Sequence, residues 1–330
     1  MSRELLPARV PPAPRRPMTR LARQRGVALV LVMWAGVLLA VVISSFMLER
    51  RTEQLIMQNS ISMARAEAIA DAGVQRAVWE LYRTDNAPDA WKRDGTVQHW
   101  TFDGVPVRID IRDESAKIDI NTASDALLRG MFLSIGMTDD EAAKIVDAIL
   151  DWTDADSLKR PNGAEEPEYR AAGLPYKPAN APFQAIEELQ LVLGMRPDIY
   201  RRIAPMITVF SRQTGVNPQL ATRDVLLSIP GSTSDVVDQY IAQRDAALAQ
   251  GQPPPVFAQA GSYASGYTLV ATIRSEARLD DGAVFAREAV ALLRPTPRSV
   301  VTFVAWREST ASPPEADQPM AAGAPATPPS

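Results

Sequence analysis

Residues 23–51 read RQRG-VALVLVMWAGVLLAVVISSFML-ERR, and the 22 residues 27–48 inside that stretch carry no charge. A helix of that length rises about 33 Å, enough to cross the hydrocarbon core of a bilayer. A removable signal peptide has an apolar stretch of only about 7–15 residues with a small-residue cleavage site behind it. Here the run is longer and is followed by Glu49, Arg50 and Arg51, so the sequence predicts that it is kept as an anchor. Residues 1–26 hold seven Arg and one Glu, a balance of +6. Basic residues concentrated ahead of a span predict a cytoplasmic N-terminus, with the rest of the chain on the far side. The whole chain has a net charge of −4, which leaves −10 for residues 27–330. An acidic body suits an exported domain and suits nucleic-acid binding poorly, because phosphates need basic partners.

Outward from the span, residues 49–83 continue as helix. Up to Tyr82 they contain no Pro and one Gly, and Met63, Ala66, Ala70, Val74, Ala77 and Leu81 fall on one face at steps of three and four. Residues 98–102 and 105–111 flank Asp103-Gly104, a strong hairpin signal. Val107, Ile109 and Ile111 alternate with Arg108, Asp110 and Arg112, as in a half-buried strand. Far downstream, 267–279 and 283–293 flank Asp280-Asp281-Gly282, and 299–306 reads as a last strand. The expected fold class is therefore α+β: a long N-terminal helix packed on an antiparallel sheet built from 84–118 and 259–308, interrupted by a large inserted helical domain at 119–258. From 309 to 330 Pro, Ala and Ser dominate, a composition that predicts disorder.

The chain has 46% hydrophobic and 22% charged residues, so most of it should fold. It has no cysteine and a single histidine, His99. Disulfides, thiol catalysis and Cys- or His-ligated metals have almost no material, and no catalytic constellation is visible. The expectation is a non-enzymatic protein.

Within the insertion, Thr138 and Glu141 form a capping box ahead of a helix over 142–152, and Pro182-Phe183 opens a helix bearing Ile186, Leu189 and Leu193. Pro197 sits near the first turn of another over 199–207. Two segments, 120–136 and 216–231, each lead to a Gly turn followed by a helix and resemble helix–hairpin–helix units. DNA-binding versions hold a phosphate on the turn amides, helped by basic residues. Asp139, Asp140, Glu141 and Asp235 stand where such help is needed, so no nucleic-acid partner is expected. Between the hairpins, Asp147, Asp151, Asp154, Asp156, Glu165, Glu166 and Glu168 crowd a loop turned by Pro161, Asn162 and Gly163. A solvated acidic loop is the ordinary reading; calcium, which takes six to eight oxygens, is the functional one.

Arg23-Gln24-Arg25-Gly26 abutting Val27 resembles the prepilin-peptidase site of type IV pilins and type II secretion pseudopilins, in which the cut falls before a retained apolar helix. The resemblance implies cleavage between Gly26 and Val27. The fifth residue after that cut is Leu31, where most such subunits carry Glu to neutralise the amine of the next subunit up, and its loss is expected of a tip subunit. Then come, in order, Lys117-Ile118-Asp119-Ile120-Asn121, Asp151-Trp152-Thr153-Asp154-Ala155-Asp156, Gly163-Ala164-Glu165, Ala181-Pro182-Phe183 and Glu187-Glu188-Leu189. Together they resemble the K family of type II secretion minor pseudopilins over about residues 23–306. The resemblance implies a pilin-like domain, calcium in the insertion with Asp151, Asp154, Asp156, Glu165 and Glu166 or Glu168 as ligand candidates, and a tip complex with minor pseudopilins I and J in the inner membrane. The leader is longer than is usual in that family, and the Pro-rich tail has no counterpart there. The competing readings are a minor pilin of a type IV pilus and a membrane-tethered DNA receptor built on the hairpins.

Overall fold

The computed structural model describes residues 25–83, 90–294 and 299–312; the basic leader and the Pro-rich tail lie outside these. The chain divides into two units, 1–60 and 61–330. One helix, α1 (Arg25–Tyr82), contributes to both. In the first unit, the window Ala28–Ser45 has a mean hydropathy of 2.5 and no buried residue. Leu29, Trp34 and Leu38 all face outward, which separates this segment from the core helix of a soluble protein.

In the second unit, α1 lies on a five-stranded antiparallel sheet of order β1-β2-β5-β6-β7, with β1 Gln98–Phe102, β2 Val105–Asp113, β5 Val270–Arg278, β6 Val284–Leu292 and β7 Thr302–Ser309. Ala66, Ile69, Ala70, Val74, Ala77 and Val78 are buried against Val107, Ile109, Ile111, Ile273 and Ala277. The expected apolar stripe thus holds from Ala66 onward, whereas Met63 is 41% exposed. The reason is where the sheet stops. Arg65 pairs with Asp103 in the β1–β2 turn at 2.9 Å, and Ser62 donates to Asp281 in the β5–β6 turn, so below Ala66 the helix meets polar turns. At the first of these turns Asp103 and Gly104 both have positive φ (50° and 76°), the backbone a tight hairpin requires.

A second core lies between β2 and β5. Its elements are β3 (Ile118–Asp119), α2 (Asp125–Ser134), α3 (Asp139–Thr153), α4 (Glu166–Ala171), α5 (Pro197–Ile203), β4 (Ile207–Thr208), α6 (Arg223–Leu227) and α7 (Ser234–Ala249). Leu127, Phe132, Ile149, Trp152, Tyr169 and Ile203 fill it. Phe257 and Ala260 belong to this core too, so the module runs a few residues past 258. Two helices differ from expectation. Ile186–Leu191 is a 3-10 helix; at three residues per turn Ile186, Leu189 and Val192 share a face, and Leu193 is only partly buried. The helix expected over 199–207 stops as α at Ile203, because Pro205 has no N–H to donate; a 3-10 turn, Ala204–Met206, leads into β4.

Gly73 sets how closely α1 approaches the sheet. A Cβ there would stand 2.1 Å from Ser275 Oγ and 3.0 Å from Val107 Cγ1. Overpacking at such a contact costs about 1–3 kcal/mol. Gly73→Ala is expected to lower stability by that order in denaturant unfolding, and Ser275→Ala combined with it should recover part of the loss. No loss in the single variant would mean the helix is free to lift.

Candidate functional site

The acidic loop hangs on the edge of α3. Thr138 and Glu141 open that helix as a reciprocal capping box, and Asp147 and Asp151, four residues apart, share one side of it. Asp147 accepts from the Asn162 backbone N–H at 3.0 Å and from its amide nitrogen at 3.1 Å. Asp151, fully buried, accepts from the Arg160 N–H at 3.2 Å. Gly163 is required by contact: a Cβ would fall 2.0 Å from Asp151 Oδ2. Beneath the loop Trp152 stacks on Phe183, ring centroids 6.1 Å apart and 2° from parallel. Tyr169 packs beside them and accepts from Leu193 N–H; burial pushes its hydroxyl up to about 12.

Above this floor the carboxylates are in electrostatic conflict. Burial raises the Glu165 pKa, and Asp151, Asp154 and Asp156 raise it further. Burial and then Asp156 raise Asp154; burial raises Asp151, opposed in part by the Arg160 amide. Asp154 Oδ1 and Glu165 Oε1 are buried without a hydrogen-bond partner. Asp156 is exposed and accepts from Leu158 N–H at 2.8 Å. Glu166 stands apart from this group, pairing with Arg170 and with Lys177 at 3.4 Å. Glu168 is also engaged, accepting from Glu165 N–H at 3.0 Å and from Lys159 at 2.9 Å. Among the described residues no three carboxylates or imidazoles stand at metal-binding spacing. The chemistry of the set nonetheless fits a hard cation: all donors are oxygens, and two buried oxygens lack partners.

The hairpins are built as a pair. Gly136 (φ 89°) turns α2 into α3, and Gly231 (φ 82°) turns α6 toward α7. They meet where Gly130 of α2 lies against the Ser228 carbonyl, at a distance that leaves no room for a Cβ. Arg129 grips Asp139 (Nε to Oδ1 2.7 Å) and Arg223 grips Asp238 at 2.6 and 2.9 Å, both with two-pronged geometry. Each arginine beside a Gly turn is thus neutralised within its own hairpin.

The family "Type II secretion system (T2SS), protein K" matches residues 108–212, which take in both the acidic loop and the first hairpin. Over those residues the chain is similar to the type II secretion protein K family. Type II secretion system protein K of Pectobacterium carotovorum is 27% identical over 210 residues, 56% of this chain and 63% of that one. The protein K of Pseudomonas aeruginosa is 24% identical over 241 residues, 65% and 72% of the two chains. In fold, the chain is similar to one from the crystal structure of the GspK-GspI-GspJ complex of enterotoxigenic Escherichia coli, with a TM-score of 0.55, 16% identity, and coverage of 80% of this chain and 100% of that one.

Asp151, Asp154 and Asp156 lie near enough to Glu165 to raise its pKa, though not at metal-binding spacing, while Glu166 pairs with Arg170 and Lys177. Gly26 and Val27 lie in the first turn of α1. Sequence reasoning passed over Asp147 as a loop anchor and Arg160 as the cation approaching Asp151 at 3.6 Å. The i, i+4 spacing of Asp147 and Asp151 ahead of Asn162 was the signal for the first; nothing local announced the second.

Proposed function

We propose that this chain is the non-enzymatic tip subunit of the type II secretion pseudopilus, starting or capping the fibre. The observation that carries this is the module inserted between β2 and β5, with a core of its own, on a domain whose helix continues into a lipid-length apolar span. Such bulk beside a stalk helix opposes stacking of a further subunit above it. Ala64 and Ala68 are exposed, while Ala66 and Ala70 are spent on the chain's own sheet, so the outer face still permits close approach of a neighbouring stalk. By analogy with the complex in which its structural relative was solved, the partners are minor pseudopilins I and J. Prepilin peptidase cuts between Gly26 and Val27, and the body faces the periplasm from the inner membrane. The neutralised hairpin arginines favour this over DNA binding.

Calcium is proposed for the acidic loop, with Asp151, Asp154, Asp156 and Glu165 as its holders and Glu166 outside. A bound divalent cation would supply positive charge to this crowded group, of which Asp151 and Glu165 are buried. The raised pKa values give the metal-free loop a definite pH dependence. The folded state binds more protons than the unfolded chain, so the loop's contribution is favourable near pH 4 and is lost as pH rises through the folded pKa values.

Two outcomes follow. At neutral pH, calcium at 100-fold over Kd should raise the melting temperature by about 5 °C or more, with little effect near pH 4. Glu165→Gln should raise the calcium-free melting temperature and abolish the gain, whereas Glu166→Gln should leave the gain intact; equal behaviour of the two would refute this ligand set. For the tip role, Asp113 accepts from Thr268 N–H at 3.1 Å, so the module's two ends are adjacent. Excising 115–267 with a short linker should keep the sheet folded yet abolish secretion and tip assembly; normal secretion and fibre length would contradict the role.

A further inference from the structure

The module joins the sheet through two short connections, 114–117 outward and 264–269 back. Most of their hydrogen bonds make them part of the module: Asn217 N–H donates to Ser115 O at 2.7 Å, Val216 N–H to Tyr263 O and Ser265 N–H to Val216 O, both at 2.8 Å. Asp113, fully buried at the end of β2, ties the connections to each other through Thr268 N–H and Oγ1, and pairs with Arg93 at 3.0 Å. The line from Asp113 to Thr268 is therefore where a hinge would fall.

Glu114 stands one residue beyond that line and is 1% exposed. Its Oε1 accepts from Lys117 Nζ at 2.8 Å and from Thr272 Oγ1 at 2.6 Å; its Oε2 accepts from Thr208 Oγ1. Thr272 belongs to β5 of the sheet, and Thr208 to β4 of the module. One buried carboxylate thus bridges the two bodies. Packing beside it is incomplete: a cavity of about 200 Å³ runs along the joint, lined by Glu114, Lys117, Ile186, Phe210, Val304 and Arg307. Across the mouth, Arg307 and Glu187 pair at 3.2 Å but are 44% and 52% exposed, a contact too well solvated to hold an angle.

We propose that Glu114 is the latch that sets the angle of the helical module on the sheet, at a joint that would otherwise rock. A carboxylate buried with three donors is costly to disrupt, because each donor is left without its partner. The chain has no cysteine, so labels can be placed cleanly. Spin labels at Gln243→Cys in the module and Asp280→Cys on the sheet, in the full chain in detergent, report the angle by pulsed electron resonance. Glu114→Gln should broaden the distance distribution at least two-fold and raise amide exchange at 114–118 roughly ten-fold, while α3 stays protected. Thr208→Val, which spares the charge and removes the module's arm together with the acceptor of the Phe210 N–H (3.0 Å) inside the module, should broaden it in the same direction. Glu187→Ala should leave it unchanged. A wild-type distribution in Thr208→Val, or equal broadening in Glu187→Ala, would overturn the latch. If Glu114→Gln does not fold, Thr208→Val alone decides.

Discussion

One helix has to be satisfied by two different solvents. Along Ala28–Ser45 its apolar side chains meet no protein, and water around them is strongly unfavourable, so this part is stable only in lipid. From Ala66 to Val78 the same helix lies on the sheet through small residues, with Gly73 at a separation that admits no side chain. Arg287, nearly buried, reaches from β6 to Asp71 and Glu67, both at 2.6 Å, and adds direction to that apolar contact. These contacts hold the 61–82 part of the helix to the sheet.

The second theme is how this fold uses buried carboxylates. Glu114 has donors on both oxygens, and Asp113 has donors on Oδ1 and the Arg93 guanidinium beside Oδ2; their work is architectural, at the joint between module and sheet. Asp154 and Glu165 each keep a buried oxygen with no partner, and burial and mutual repulsion hold their pKa values up. A carboxylate compensated by donors or a cation serves the architecture, whereas one crowded by its own kind has its charged form disfavoured. The same residue type thus separates into two roles by counting its donors.

Much of this was legible in the residues. The charge-free run at 27–48, the Asp103-Gly104 turn and the alternation of Val107, Ile109 and Ile111 act through local rules, so helix, hairpin and sheet follow from them. The Gly turns at 136 and 231 marked the hairpins for the same reason. What was not legible depends on long-range contact. Met63 continues the apolar stripe in sequence, yet lies below the last strand. The 3-10 turn at Ile186–Leu191 is set by which residues the module's core accepts. Glu166 matched its neighbours in composition and spacing, but Arg170 and Lys177 draw it away. Thr208 and Thr272 meet on Glu114 from positions about 94 and 158 residues along the chain, which no local pattern encodes.

The most direct test of the account is intact-mass measurement of the native protein recovered from membranes, paired with the condition needed to release it. A chain beginning at Val27, its apolar helix retained and released only by detergent, is the result expected. A protein freed by salt or alkaline wash, with a mass showing residues 27–48 removed, would contradict it.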